Sequence, residues 1–160
     1  MISPKRMVEI FRSRGGGKDF ISPADRLSSE EFAYLKGLAE GEPSVAKLSS
    51  DGEWLVLTNS HLVIGQSAKV LRCPLEEICS VNIPQVDVMN ARIKVEGGSL
   101  DLGLLNGASL RIKVEPGGPY FGLMNVSMRI ATTNRRRNSK VRTGDDARPT
   151  TNDKRPTTVL

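Results

Sequence analysis

The stretch that decides the fold is EWLVLTNSHLVIG, residues 53–65, continued by QSAKVLRCPLEEICSVNI, residues 66–83. Two apolar, β-rich runs, 54–57 and 61–64, flank the turn-forming triplet Thr58-Asn59-Ser60. A third run, 69–73, follows a short polar gap and stops at Pro74. Short strands joined by short polar turns predict an antiparallel meander. Such a meander has no room for a crossover helix or a catalytic helix inside it.

Downstream, the apolar positions alternate. Ala91, Ile93 and Val95 share a face opposite Arg92 and Lys94. Leu100, Leu102 and Leu104 share another opposite Asp101, and Leu110, Ile112 and Val114 a third opposite Arg111, Lys113 and Glu115. A period of two is the signature of half-buried strands. Glu96-Gly97-Gly98 and Asn106-Gly107 supply turns that accept positive φ. Residues 75–78 read as a brief helical turn before extended structure resumes at 80–83. After Gly117-Gly118-Pro119, residues 120–131 fit either a strand (Met124, Val126, Met128, Ile130) or one helical face (Tyr120, Phe121, Met124, Met128, Ala131). The proline at the start and the unbranched methionines favour helix.

Upstream, Ser3-Pro4 starts a short helix, with serine as cap and proline in the first turn. Met7, Ile10 and Phe11 recur at helical spacing among Lys5, Arg6 and Arg12. This basic amphipathic helix suits either an anionic membrane surface or docking on the body of the same chain, and one short stripe without tryptophan favours docking. Residues 14–18, RGGGK, form a joint. They lack the spacing, the Lys-Ser/Thr ending and the preceding strand of a phosphate loop. Ser28-Ser29-Glu30-Glu31 is a capping box, with Leu27 and Phe32 placed as a staple. Phe32, Leu35 and Leu38 or Ala39 give this helix an apolar face toward the sheet, Gly41 closes it and Pro43 forbids continuation. Residues 45–48 begin the strands.

Charge divides the chain. Residues 1–18 carry a net +4, residues 133–160 a net +5 and the segment between them a net −4. A slightly acidic body with two basic ends attracts polyanions or acidic proteins through those ends, unless they are plain solvated tails. Lys5, Arg6 and Arg12 at one end, and Arg135, Arg136, Arg137, Lys140 and Arg142 at the other, are the candidate polyanion contacts. Beyond residue 131 apolar side chains become sparse, so 132–160 is expected to be a disordered basic tail. The expected organisation is a helical segment with a Gly-rich joint over 1–41, a β domain over 42–131 and the tail. Met1 to Ile10 carries charges where a secretion signal needs an apolar run, and no stretch approaches a membrane span. A cytoplasmic setting with free, buried thiols at Cys73 and Cys79 is expected, with peripheral membrane attachment through the basic ends as the variant.

The hairpin Leu57-Thr58-Asn59 with Leu62, and the segment Pro74-Leu75-Glu76-Glu77-Ile78 with Val81, resemble the bacterial PH-like domains, relatives of the pleckstrin-homology and GRAM superfold. The resemblance covers residues 42–131. It implies a mainly β fold with α: a partly open barrel of about seven antiparallel strands, capped by a C-terminal helix. One or two short helices precede it. Phe121, Met124 and Met128 would be the plug. The resemblance implies no catalytic residues. Lipid-binding relatives hold inositol phosphates with basic residues near the first strand–strand loop. That loop here, residues 49–52, holds an acid and has only Lys47 nearby, which argues against a specific phosphoinositide site.

Residue chemistry points the same way. His61 with Cys73 or Cys79 would be a nucleophile–base dyad, and a half-buried strand histidine is the simpler reading. One histidine and two cysteines fall short of a zinc site. Glu76 and Glu77 are adjacent and point apart. Asp101 lies on the strand between Arg92, Lys94, Arg111 and Lys113, and Glu96 and Glu115 share their faces, which reads as cross-strand ion pairing rather than a nucleic-acid stripe. Aromatics at 4% leave little for base stacking. The expected role is non-catalytic, needing no cofactor or metal and acting on no small-molecule substrate. Its partner is another protein or a second copy. The alternative is a tether to an anionic membrane or nucleic acid.

Overall fold

A computed structural model describes residues 2–13, 21–48, 52–66, 69–82, 98–114 and 117–145. The expected strand at 91–95, the joint at 14–18 and residues 146–160 lie outside the described residues. Strands β1 (Ile21–Pro23), β2 (Val45–Leu48), β3 (Trp54–Leu57), β4 (His61–Gln66) and β5 (Lys69–Pro74) form one antiparallel sheet in that order. The four strands β2–β5 are its body, and β1 is a three-residue edge. Strands β6 (Ile78–Asn82), β7 (Gly98–Leu104) and β8 (Ser109–Val114) form a second antiparallel sheet. Helices α1 (Pro4–Ser13), α2 (Ser29–Ala39) and α3 (Gly118–Asp145) complete a mixed α/β architecture, with no closed barrel among the described residues.

All four residues of β3 are buried, which explains why the sequence there is continuously apolar rather than alternating. Leu55 and Leu57 point into the main core with Val45, Leu62, Leu100, Leu102 and Ile112. Trp54 and Val56 point the other way, into a second cluster with Ala46, Val63 and, from α2, Leu35 and Ala39. Gly65 sits directly opposite Trp54 in the ladder. A Cβ on Gly65 would stand 2.1 Å from the indole, so the ring lies flat on this strand only because the side chain is absent.

Local signals act as read. Ser3 accepts the Arg6 N–H at 3.3 Å and starts α1. Ser28 and Glu31 form the reciprocal capping box of α2 at 3.2 and 2.9 Å. Gly107 takes φ 84° in the β7–β8 turn, where Asn106 Oδ1 accepts the Ala108 N–H at 2.9 Å. The end of α2 differs in detail: the left-handed residue is Glu40 (φ 51°), not Gly41. Arg72 of β5 closes that end from across the sheet. It donates to the Leu38 and Ala39 carbonyls and to Glu40 Oε1 at 2.8 Å. A cation on the last carbonyls of a helix complements its dipole.

The basic amphipathic helix α1 docks on its own chain. Met7 and Phe11 are fully buried in the main core, and α1 packs on α3. The close approach falls at Gly122, where a Cβ would stand 2.8 Å from the Phe11 ring.

Helix α3 corrects two expectations. It faces the core with Tyr120, Leu123, Val126, Ile130 and Ala131, whereas Phe121 and Met128 are exposed and Met124 is only half-buried. The plug is therefore the leucine–valine–isoleucine side of the helix, rotated from the methionine side. Leu123 and Val126 pack into the main core where α3 meets β6 and β7, and both sides of a helix this apolar satisfy the same spacing. The helix also continues to Asp145, so 132–145, expected to lack regular structure, is helical. Asn134 is a physical reason. Its side-chain amide donates to the Leu75 carbonyl at 2.7 Å and the Ile78 carbonyl at 2.8 Å, tying this turn of α3 to the 3-10 turn at Leu75–Glu77.

Phe11→Ala should therefore lower folding stability by about 3–5 kcal/mol, measured by denaturant unfolding. A loss below about 1 kcal/mol would mean α1 is not part of the core. Asn134→Ala should cost about 1–3 kcal/mol in the same assay, and no loss would place the end of the packed helix before this residue.

Candidate functional site

The hairpin that anchors the resemblance is held by Thr58. Its hydroxyl oxygen accepts the N–H groups of Ser60 (3.2 Å) and His61 (3.0 Å), and the hydroxyl donates to the His61 carbonyl at 3.1 Å. The residue is 1% exposed. Its job is to close a tight turn, a use to which threonine is suited because it both donates and accepts.

His61 is half-buried, with Nδ1 2.9 Å from the Ser60 hydroxyl. Cys73 does not face it. Leu62 is the ladder partner of Cys73 and Pro74 that of His61, so the two side chains leave opposite faces of the sheet. Cys73 is buried and its thiol lies 3.7 Å from the Pro74 carbonyl. Burial first, and the Glu77 carboxylate second, push this thiol up to about 11. Cys79 sits at a register shift between β6 and β7, with its thiol 3.4 Å from the Gly103 carbonyl. Both cysteines are free. Among the described residues no three His, Cys, Asp or Glu side chains gather as a metal site requires.

The cross-strand pair expected at Asp101 is present. Arg111 lies directly opposite and donates twice, Nε to Oδ1 at 2.7 Å and the terminal nitrogen to Oδ2 at 2.8 Å. These bonds hold the Asp101 carboxyl below the usual carboxylate range. Residues 92, 94, 96 and 115 lie outside the described residues.

The candidate polyanion contacts separate into groups. Arg12 pairs with Asp25, and Arg6 with Glu9 at 3.0 Å. Lys5 is exposed. Arg135, Arg136 and Arg137 are exposed on α3, and Lys140 and Arg142 are positions further along the same helix. Phe11 meets Gly122, while Ile2 lines a small cavity with Ile130, Thr133 and Asn134. Helix α1 thus runs antiparallel to α3. Its first residues lie beside the turn just before Arg135, and Arg12 lies at the far end. Ile2 is the residue beside that turn, whereas Lys5 lines the groove toward α2 and Arg6 pairs with Glu9.

Large apolar side chains exposed to solvent mark four further places, of which Tyr34 on α2 and Leu105 just after β7 are single residues. Val70 and Leu71 lie on β5, which pairs only with β4 among the described residues. Phe121 and Met128 lie two turns apart on the outer face of α3. Sequence reasoning assigned both of the latter to the core, and no helix among the described residues is long and apolar enough to cross a membrane. It also missed a groove between α1 and the start of α2, which is assembled from residues scattered over positions 4–44.

No protein-family model, curated protein or solved structure matches this chain.

The raised Cys73 value means that about one thiol in a thousand is ionised at pH 8. Iodoacetamide at pH 8 should leave Cys73 unmodified in the folded protein and alkylate it fully in denaturant, read by mass spectrometry. Stability from this buried thiol is complete below the ordinary thiol value and is lost as pH rises through about 11. Rapid alkylation of the folded chain would show an accessible, activated cysteine instead.

Proposed function

We propose that this chain is a non-catalytic, PH-like interaction module that works by contacting another protein or a second copy of itself. The observation that carries the reading is the outer face of α3. Phe121 and Met128 are 44% and 45% exposed, seven positions apart and so on one side of the helix, while the opposite side seals the core. Phenylalanine and methionine are enriched in the buried centres of protein interfaces, and paired large apolar side chains on a helix mark such surfaces. The meander of short antiparallel strands and the helix that follows it, together with the Leu57-Thr58-Asn59 and Pro74–Ile78 motifs, support the PH-like part of the proposal. Self-association is tested by light scattering across a concentration series. The mass should rise above 17.4 kDa for the native chain and stay there for the Phe121→Ser/Met128→Ser variant. A native chain that remains monomeric at every concentration, or a variant that associates equally, counts against this face.

A second reading is favoured by one specific arrangement. Ile2, just before α1, lies beside α3 with Ile130, Thr133 and Asn134, immediately before the exposed Arg135–Arg137. In this reading the folded body presents Lys5, Arg6 and Arg135–Arg137 to a polyanion, an anionic membrane or a nucleic acid. Because Asn134 is tied to the body, substitution serves better than truncation. Changing Arg135, Arg136 and Arg137 to Gln should abolish co-sedimentation with anionic vesicles or RNA. Binding by the native chain should also fall steeply between low and moderate salt. Salt-independent binding, or none, removes the tether.

A further inference from the structure

We propose that the groove between α1 and the start of α2 is a binding site for a neutral, largely apolar small molecule that carries a hydrogen-bond acceptor such as a carbonyl. The molecule is held and not turned over, and the proposal is independent of the partner contacts argued above.

The groove has a volume of about 720 Å³. Sites for drug-sized molecules fall in this range and combine apolar walls with a few placed polar groups. One wall is the side of α1 that the core leaves unused. Met7 and Phe11 are buried, so Pro4 and Val8 are left to line the groove. The other wall is Ala24, Leu27 and Phe32, and Pro43 and Ser44 close it where the chain enters β2. Both walls are anchored independently, α1 by Phe11 against Gly122 and α2 by its capping box.

Ser44 is the polar group that the fold does not account for. It is 2% exposed, and its hydroxyl is the one buried side-chain polar atom among the described residues with no hydrogen-bond partner. Its backbone is fully engaged: the N–H donates to the Leu57 carbonyl at 2.8 Å and the carbonyl accepts from Ala24 at 3.0 Å. An orphan hydroxyl is costly to bury, and alanine would fill the same place without that cost. A ligand carbonyl in the groove gives the hydroxyl its missing partner, once rotation about χ1 turns it from the wall toward the groove.

The rim sets the charge of the ligand. Arg12 pairs with Asp25, and Glu9 is paired by Arg6, which lies outside the lining. Lys5 and Glu42 add one charge of each sign, and the apolar walls carry none. Neither an anion nor a cation gains from entering, and a neutral molecule loses least on leaving water.

The test uses Nile red, a neutral apolar dye with a ring carbonyl, titrated by fluorescence against the full chain. Saturable one-to-one binding is expected. Val8→Trp, which fills the groove from its wall, should weaken it at least about tenfold. Ser44→Ala should weaken it about fivefold while the thermal midpoint holds or rises, because an unpartnered group has been removed. The Phe121→Ser/Met128→Ser variant should bind as the native chain does. No saturable binding by the native chain overturns the proposal. So does an unchanged affinity in Ser44→Ala, or loss of binding in the α3 variant instead.

Discussion

A strand with no solvent face imposes the plan of this molecule. Every side chain of β3 is removed from water, so both sides of its sheet must be covered. On the Trp54–Val56 side the cover is α2, fixed by its capping box at one end and by Arg72 at the other. On the Leu55–Leu57 side the cover is shared by the second sheet, α3 and α1. Fully burying side chains of this size is worth about 1.5–3 kcal/mol each, so a β3 stripped of either cover loses its reason to pair. A sheet covered on both faces follows from the four residues of this one strand.

Much of this was legible because it is local. Strand alternation at 100–104 and 110–114, the Asn106-Gly107 turn, the Ser28–Glu31 box and the Ser3-Pro4 start each depend on neighbours within a few positions, and each appears as read. What sequence could not supply is long-range. Residues 120–131 are apolar around most of the helix, so spacing alone admits two faces. The shape over β6 and β7 selects Leu123 and Val126 over Phe121 and Met128. Sparse apolar content suggested a tail beginning at residue 132. One amide, Asn134, reaching two carbonyls more than fifty positions away, holds the next turn in place. The same limit hid the groove, whose walls come from separate elements and whose distinguishing mark is a hydroxyl left without a partner.

The chemistry-bearing residues show how position overrides identity. A histidine and a cysteine on neighbouring strands look like a reactive pair in one dimension. Ladder register turns them to opposite faces, and burial holds the thiol protonated. Arg111, which the sequence pairs with Asp101 across strands, is set by register against that carboxylate with two hydrogen bonds. In both cases the meander itself, by fixing which residues oppose one another, decides what the side chains can do.

The contact between Phe11 and Gly122 has a kinetic meaning as well. It joins the first helix to the last, across roughly a hundred intervening residues, and closing a loop of that size must precede any gain from the contact. During synthesis α1 lacks its main packing partner until α3 has been made. For that interval the contact of Phe11 with Gly122 cannot form, and the apolar side of α1 is short of its cover.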